Sequence, residues 1–266
     1  MEENIYQEFD VLKIEKEEDK FYTKEVVKKI ISEISLKIIV NGEELVSLLC
    51  LNQYEVELTL GFLYNDGVIN SYEDIKEIYY NERMQAVIVE LKEEIKVNRQ
   101  ESLRSVTSGC GQCYTYINPL KKSQYFSADS KTVYPIETIL SSMKNFMHKS
   151  EIFREIGGVH SVLFYTPEYQ ILNEDIGRHN CFDKITGILL KEGKMDLCEN
   201  SIVFVSGRIS SEIMTKIIRL GAPILVSRST PTSAAVKLGQ EYNITLLGYV
   251  RGDQGNIYSA PERISF

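Results

Sequence analysis

The chain has 266 residues, 43% of them hydrophobic and 26% charged, with a net charge of −8. That is enough apolar material for one large domain or two modest ones, and five cysteines in so long a chain do not make a secreted disulfide framework. The start, Met1-Glu2-Glu3-Asn4, lacks a signal-peptide pattern, and no apolar run approaches a membrane span. A cytoplasmic, membrane-free protein with reduced thiols is expected. The charge imbalance lies wholly in the first half: residues 1–125 hold 15 Lys and Arg against 23 Asp and Glu, and residues 126–266 hold 15 of each. Such a surface argues against nonspecific nucleic-acid binding, which needs basic patches. It reads as a solvated face, or as a place for a basic partner protein to dock.

In chain order, the first half reads as mixed α and β. Leu36–Val40 runs into Asn41-Gly42, a hairpin signal, and on into Glu43–Cys50. Residues 53–63 space Val56, Leu58, Leu60, Phe62 and Leu63 as a helix does, with Gly67 near its exit. Gln85–Leu91 is a further strand. The polar stretch Lys121–Thr132 marks a boundary, so the expected domains are 1–125 and 126–266.

The second half is more regular. Strands are expected at Val159–Tyr165, Tyr169–Leu172, Ser201–Val205, Pro223–Val226 and Ile244–Val250. Helices at Asn180–Leu190, Ser210–Leu220 and Thr232–Tyr242 separate the last four. Asn180 with Asp183 resembles a capping pair, Ser210 precedes Glu212, and Pro231 suits a first turn. Gly221 and Asn243 supply stops. This alternation implies a largely parallel sheet covered by helices, hence an α/β fold class.

Two features carry chemistry. The first is Cys110-Gly111-Gln112-Cys113, set in the loop Ser105–Thr115. No acidic residue lies between Glu101 and Asp129, whereas Arg104, Lys121 and Lys122 do, a setting that favours the reactive thiolate. A lone C-x-x-C reads as half of a zinc site, as a thioredoxin-like redox pair, or as a sulfur carrier. Zinc needs two further ligands, and Cys50, Cys181, Cys198, His148, His160 and His179 form no second pair. No metal site is therefore expected. The thioredoxin motif opens a helix after a strand, which the Ser/Thr/Gly surroundings and Pro119 do not match. Cys50, Cys181 and Cys198 read as buried small hydrophobes.

The second feature is an arginine in the turn after each late strand: Arg178, Arg208, Arg228 and Arg251. In open α/β sheets ligands bind beyond the carboxyl ends of strands, where helix N-termini attract anions and guanidinium groups clamp phosphates. The bland alternative pairs each arginine with a nearby Asp175, Glu212 or Asp253. No G-x-G-x-x-G or Walker A sequence is present.

Together these segments resemble the FdhD family of formate dehydrogenase accessory sulfurtransferases. The matching runs are Thr107–Cys113, Arg154–His160, Glu174–Lys184, Ser206–Ser210, Ser229–Val236 and Gly248–Gly252, with Leu60–Leu63 and Gly67–Ile69 in the first half. The resemblance implies sulfur transfer from a cysteine desulfurase to the molybdenum or tungsten bis(molybdopterin guanine dinucleotide) cofactor, a cargo that a GDP-like guanine nucleotide would mimic. It implies Cys110 as persulfide carrier and Cys113 as the second loop cysteine. Tyr249, Val250, Arg251, Gly252, Asp253 and Gln254 would contact the cofactor, alongside Arg178, His179, Arg208 and Arg228. It further implies a homodimer serving formate dehydrogenase, with the acidic first half available to the desulfurase, and a cytidine-deaminase-like C-terminal α/β/α sheet beside a smaller α+β domain. Tyr114 departs from the glycine usual after the second cysteine, which leaves Cys110 secure and puts the role of Cys113 in question. Deaminase chemistry itself is not expected: His160 is followed by Ser161 and Val162 rather than x-Glu, and no C-x-x-C follows. A cofactor chaperone with a purely structural C-x-x-C is the alternative, needing the arginines but not the thiols.

Overall fold

The computed structural model describes residues 5–92, 103–106, 114–117 and 128–266. The first described elements are two long strands, β1 (Tyr6–Glu17) and β2 (Lys20–Ile31), which among the described residues pair only with each other, from Tyr6 opposite Ile31 to Glu17 opposite Lys20. No element was expected there, because lysines and glutamates interleave with apolar residues on both faces and erase the period of two. Next comes β3 (Ile34–Val40), turning at Asn41 and Gly42 into β4 (Glu43–Cys50). Both turn residues have positive φ, 50° and 81°, as a tight hairpin requires. Helix α1 (Glu55–Asn65) and strands β5 (Ile75–Asn81) and β6 (Ala86–Leu91) complete a sheet of order β4-β3-β6-β5. Its core joins Leu36 and Ile38 to Val87, Val89, Leu58 and Phe62. Strands β7 (Leu103–Val106) and β8 (Tyr114–Ile117) pair antiparallel, Val106 opposite Tyr114.

The second half begins with β9 (Tyr134–Pro135), α2 (Ile136–Lys149) and α3 (Glu151–Glu155); neither helix was among the expected elements. Then follow β10 (His160–Tyr165), β11 (Gln170–Asp175), α4 (Arg178–Lys191), β12 (Ile202–Val205), α5 (Ser211–Leu220), β13 (Ile224–Ser227), α6 (Ser233–Glu241), β14 (Thr245–Arg251), β15 (Gln254–Ser259) and β16 (Ile264–Ser265). The main sheet has the order β11-β10-β12-β13-β14-β15. It is mixed rather than largely parallel. β10 runs antiparallel to both its neighbours and β15 antiparallel to β14, while β12, β13 and β14 run together.

Alternation along these strands builds three layers. Val162, Val203, Val205, Leu225 and Leu246 face α4, α5 and α6, where they meet Phe182, Ile185, Ile213 and Ala235. Leu163, Phe204, Ile224, Val226 and Leu247 face the other way, onto Ile139, Met143 and Phe146 of α2. The period of two along the strands, against i, i+4, i+7 on α2, is what separates the cores.

Two expected caps are corrected. Helix α4 starts at Arg178 with Gly177 as an N-cap that carries no side chain, so Asn180 and Asp183 lie inside the helix. Pro231 precedes the cap, which is Thr232; its hydroxyl accepts from the Ala235 N–H at 3.2 Å. Gly221, at φ 81°, ends α5 as expected.

Asn180 and Asp183 instead join the two halves. Asn180 Nδ2 donates to the Leu49 carbonyl (2.8 Å) and to Asp175 Oδ1 (2.7 Å). The Leu51 N–H donates to Asp175 Oδ2 (3.2 Å), on which the fully buried Lys184 ammonium also sits at 2.7 Å. Asp183 Oδ1 accepts from Asn65 Nδ2 (2.7 Å) and from the buried Lys216 ammonium (2.5 Å). Arg219 reaches the Tyr64 and Ile69 carbonyls. Buried charges that are paired and hydrogen-bonded across an interface cost little while intact and much when one partner is lost.

Candidate functional site

The sheet brings the four arginines to one edge. Arg178 follows β11, Arg208 follows β12, Arg228 follows β13, and Arg251 ends β14. With strands ~4.8 Å apart, the row from β11 to β14 spans about 19 Å.

Short bonds lace the turns together. Ser227 Oγ donates to the Gly207 carbonyl (2.7 Å) and accepts from the Ser229 N–H (2.9 Å). The Arg228 N–H donates to the Val205 carbonyl, the Tyr249 N–H to the Ser229 carbonyl, and Arg251 Nε to the Arg228 carbonyl (3.2 Å). Gly248 admits no side chain, since a Cβ there would lie 2.9 Å from Pro231 Cδ and 3.0 Å from the Ser229 oxygen. Tyr249, at φ 60°, turns its exposed ring under the Arg251 guanidinium, 4.3 Å from the ring centre.

None of the four arginines forms an ion pair among the described residues, and the carboxylates that might have neutralised them are otherwise engaged or exposed. Asp175 holds Lys184, and Glu212 lies 3.2 Å from His179 Nε2. Arg178 is the most constrained: its Nε and one terminal nitrogen are buried with no hydrogen-bond partner among the described residues. Such orphaned donors are costly unless a ligand or water satisfies them. Arg208, Arg228 and Arg251 are exposed.

His160 opens β10 beside this arginine, its Nδ1 so close to Gly207 that a Cβ there would lie 3.0 Å away. Burial lowers the His160 pKa, and the neighbouring Arg178 and His179 lower it further. Burial also lowers His179, against an opposing pull from Glu212. Both imidazoles are held toward the neutral form, so the standing positive charge belongs to the guanidinium groups.

The C-terminal segment lies around a separate cavity of about 620 Å³ on the α2 side of the sheet. Tyr249, Val250, Asp253 and Gln254 line it with Ile136, Leu140, Leu247, Asn256 and Phe266. Arg251 and Gly252 are exposed beside it, whereas Val250 is buried in the α2 core. Phe266 and the α2 residues carried no motif in the sequence. The pairing of His179 with Glu212 was also missed, although Glu212 stood among the candidate partners for the arginines.

Cys110 and Cys113 lie outside the described residues, as do Lys121 and Lys122; β7 and β8 lead to and from the cysteines. The remaining three cysteines are buried and free, as expected. Burial drives the Cys50 and Cys181 thiols well up, and raises Cys198 to about 12, so none offers a ready thiolate. Among the described residues no cluster of His, Cys, Asp and Glu has the makings of a metal site, and no helix is long and apolar enough to cross a membrane.

A mixed α/β protein with several sheets, an arginine-lined strand edge and a cavity beside it is thus defined. Residues 31–265 match the model of the FdhD/NarQ family, and the chain belongs to that family. It is 35% identical over 240 residues to the sulfur carrier protein FdhD of Bacillus subtilis (strain 168), covering 89% of this chain and 90% of that one. It is 38% identical over 211 residues to the protein of the same name from Saccharolobus solfataricus, covering 78% and 79%. A crystal structure from Desulfotalea psychrophila, described as a formate dehydrogenase accessory protein, superimposes with a TM-score of 0.76 at 24% identity, covering 98% of this chain and all of that one. That likeness carries the fold.

Proposed function

We propose that this protein is a cytoplasmic sulfur carrier in formate dehydrogenase maturation, moving sulfur from a cysteine desulfurase to a molybdenum or tungsten bis(molybdopterin guanine dinucleotide) cofactor. The observation that carries the reading is the row of four arginines, without an ion pair among the described residues, beside the cavity at Tyr249–Gln254. The row suits the diphosphates of a dinucleotide, and Tyr249, stacked on Arg251, offers a flat platform beside them. The relatives named sulfur carrier proteins support the sulfur half of the proposal.

The chemistry falls to the loop cysteines. The Cys110 thiolate attacks the outer sulfur of the donor persulfide; the donor leaves as a thiolate and Cys110 holds S–SH. In direct transfer the acceptor supplies the electron pair that bonds the outer sulfur, the S–S bond breaks and Cys110 leaves as a thiolate. Alternatively the Cys113 thiolate attacks the Cys110 sulfur, expels hydrosulfide and leaves a disulfide that a cellular dithiol must reduce. We assign the two halves to domains at 1–125 and 126–266. The second is a cytidine-deaminase-like sheet, a reading supported by an antiparallel β10 inserted between the co-directional β11 and β12, with β13 and β14 running the same way as β12. Two copies form the working unit.

Intact mass after incubation with a desulfurase and cysteine tests the carrier. A reductant-sensitive gain of ~32 Da, one sulfur atom, is expected on the wild type and absent from Cys110→Ala; full labelling of Cys110→Ala overturns the assignment. The competing chaperone reading keeps the arginine row but needs no thiol. Complementation by Cys110→Ser with Cys113→Ser would establish it.

A further inference from the structure

We propose that the β1–β2 hairpin is an exchange arm that closes over a second copy of this chain. This rests on the two-copy reading above and names the element that builds the assembly. Among the described residues the two strands pair only with each other, and an isolated two-stranded ribbon is marginal in water. Its apolar side chains point both ways. Leu12, Ile14, Phe21 and Val27 share one face and are 60% to 74% exposed; Phe9, Tyr22 and Ile30 share the other and are 43% to 48% exposed. The Ser32 N–H bond to the Ile5 carbonyl continues the ribbon's own ladder, and at the root Ile31 lies beside Gly158 of the body. A ribbon apolar on both faces is stabilised by a surface that wraps it from two sides.

Charge selects the occupant. Residues 6–31 hold six lysines against seven carboxylates, nearly neutral within a first half that carries the whole −8. The signs separate by face. Lys13, Lys20, Lys24 and Lys28, with Glu15 and Glu17, flank Phe9 and Tyr22, whereas Glu8, Asp10 and Glu25, with Lys16 and Lys29, flank Leu12 and Val27. The lysine-rich face of one arm therefore complements the carboxylate-bearing face of an identical arm, and equally the acidic first half of a second copy. Nucleic acid or an anionic membrane would call for uniformly basic surface instead.

Area agrees. Twelve residues at ~3.4 Å rise, in a ribbon about 10 Å wide, give roughly 400 Å² per face. Two reciprocal arms covered on both faces bury ~3,000 Å², counting both sides of each contact, which lies in the obligate homodimer range. A single foreign partner on one arm would gain half of that. The family-model match begins at residue 31, where the arm ends.

Sedimentation equilibrium on the full chain tests the arm, comparing wild type with the Leu12→Glu, Ile14→Glu, Phe21→Glu triple variant. The wild type should be dimeric at micromolar concentration. The triple variant should be monomeric, with association weakened ~100-fold or more and the far-ultraviolet circular dichroism of the body retained. A dimer that persists in the variant overturns the arm and spares the two-copy reading; a monomeric wild type overturns both. Should the variant misfold, hydrogen exchange on the wild type decides. Amides of residues 6–31 protected only at concentrations that support dimer uphold the arm, and exchange that is fast at every concentration overturns it.

Discussion

Gly61 of α1 lies so close to Asp183 of α4 that a Cβ at Gly61 would fall 1.7 Å from the Asp183 carbonyl oxygen. The contact is mirrored one turn away, where a Cβ at Gly187 would fall 1.8 Å from the Glu57 oxygen. Two glycines, one from each half, thus let two helices touch backbone to backbone. Backbone cannot yield as a side chain can. Gly61→Ala should therefore destabilise the protein by ~3 kcal/mol or more, despite alanine's better helix propensity. Urea denaturation checks this, and an unchanged midpoint would remove the close approach.

This crossing shows where sequence reading stops. The amphipathic spacing of residues 53–63 disclosed α1, and the apolar runs disclosed β10 to β14, because burial on one face writes a period into the chain. The role of Gly61 has no period; it depends on a helix more than a hundred residues away. Asn180 and Asp183 misled for the same reason. Near a helix start they look like caps, yet their partners, Leu49 and Asn65, belong to the other half. The arginine row was legible because each member follows its own strand, and topology alone brings them together. The β1–β2 ribbon was not, since apolar and charged residues alternate on both of its faces.

Lys216 and Asp183 form a buried ion pair that also holds Asn65 of the first half. Lys216→Met keeps most of the side-chain volume and strands the carboxylate. A loss of ~3–5 kcal/mol is expected. Asp183→Asn in the same background should restore part of it, because a neutral amide can still accept from Asn65. Chemical denaturation of the single and double variants tests the coupling; additive losses would deny it.

Arg178 should trade stability for binding. Its buried Nε and terminal nitrogen have no partner among the described residues, so a bound anion would give them hydrogen bonds the described fold does not. Arg178→Ala is expected to weaken binding of a guanine nucleoside diphosphate by ~1.5–3 kcal/mol, the scale of hydrogen bonds to a charged group. It should leave the unliganded melting temperature unchanged or higher. Exposed Arg208, replaced likewise, should cost less affinity and not move the melting temperature. Calorimetric titration with GDP and a thermal scan of each variant separate these outcomes, and a large loss of unliganded stability in Arg178→Ala would assign the residue to the scaffold instead.

His160 gives the arginine row a pH signature. Burial first, then Arg178 and His179, lower its pKa, whereas the unfolded chain binds the proton near pH 6.5. Between that pH and the depressed folded value the unfolded state holds more protons, so stability is fully present above about pH 6.5 and is lost as pH falls. The slope contributed by this histidine is at most ~1.4 kcal/mol per pH unit. His179, lowered chiefly by burial, adds in the same direction. His160→Gln should flatten the curve between neutral pH and the acid limb set by the carboxylates. A bound phosphate changes the sign of the local field: it offsets Arg178 and raises both histidines. Nucleotide binding near pH 6 should therefore take up protons, and calorimetry in buffers of different ionisation enthalpy measures the number. Uptake that survives in the wild type and falls in His160→Gln places this imidazole against the ligand. Zero uptake at pH 6 would move the anion away from Arg178 and toward the exposed arginines of β12 to β14.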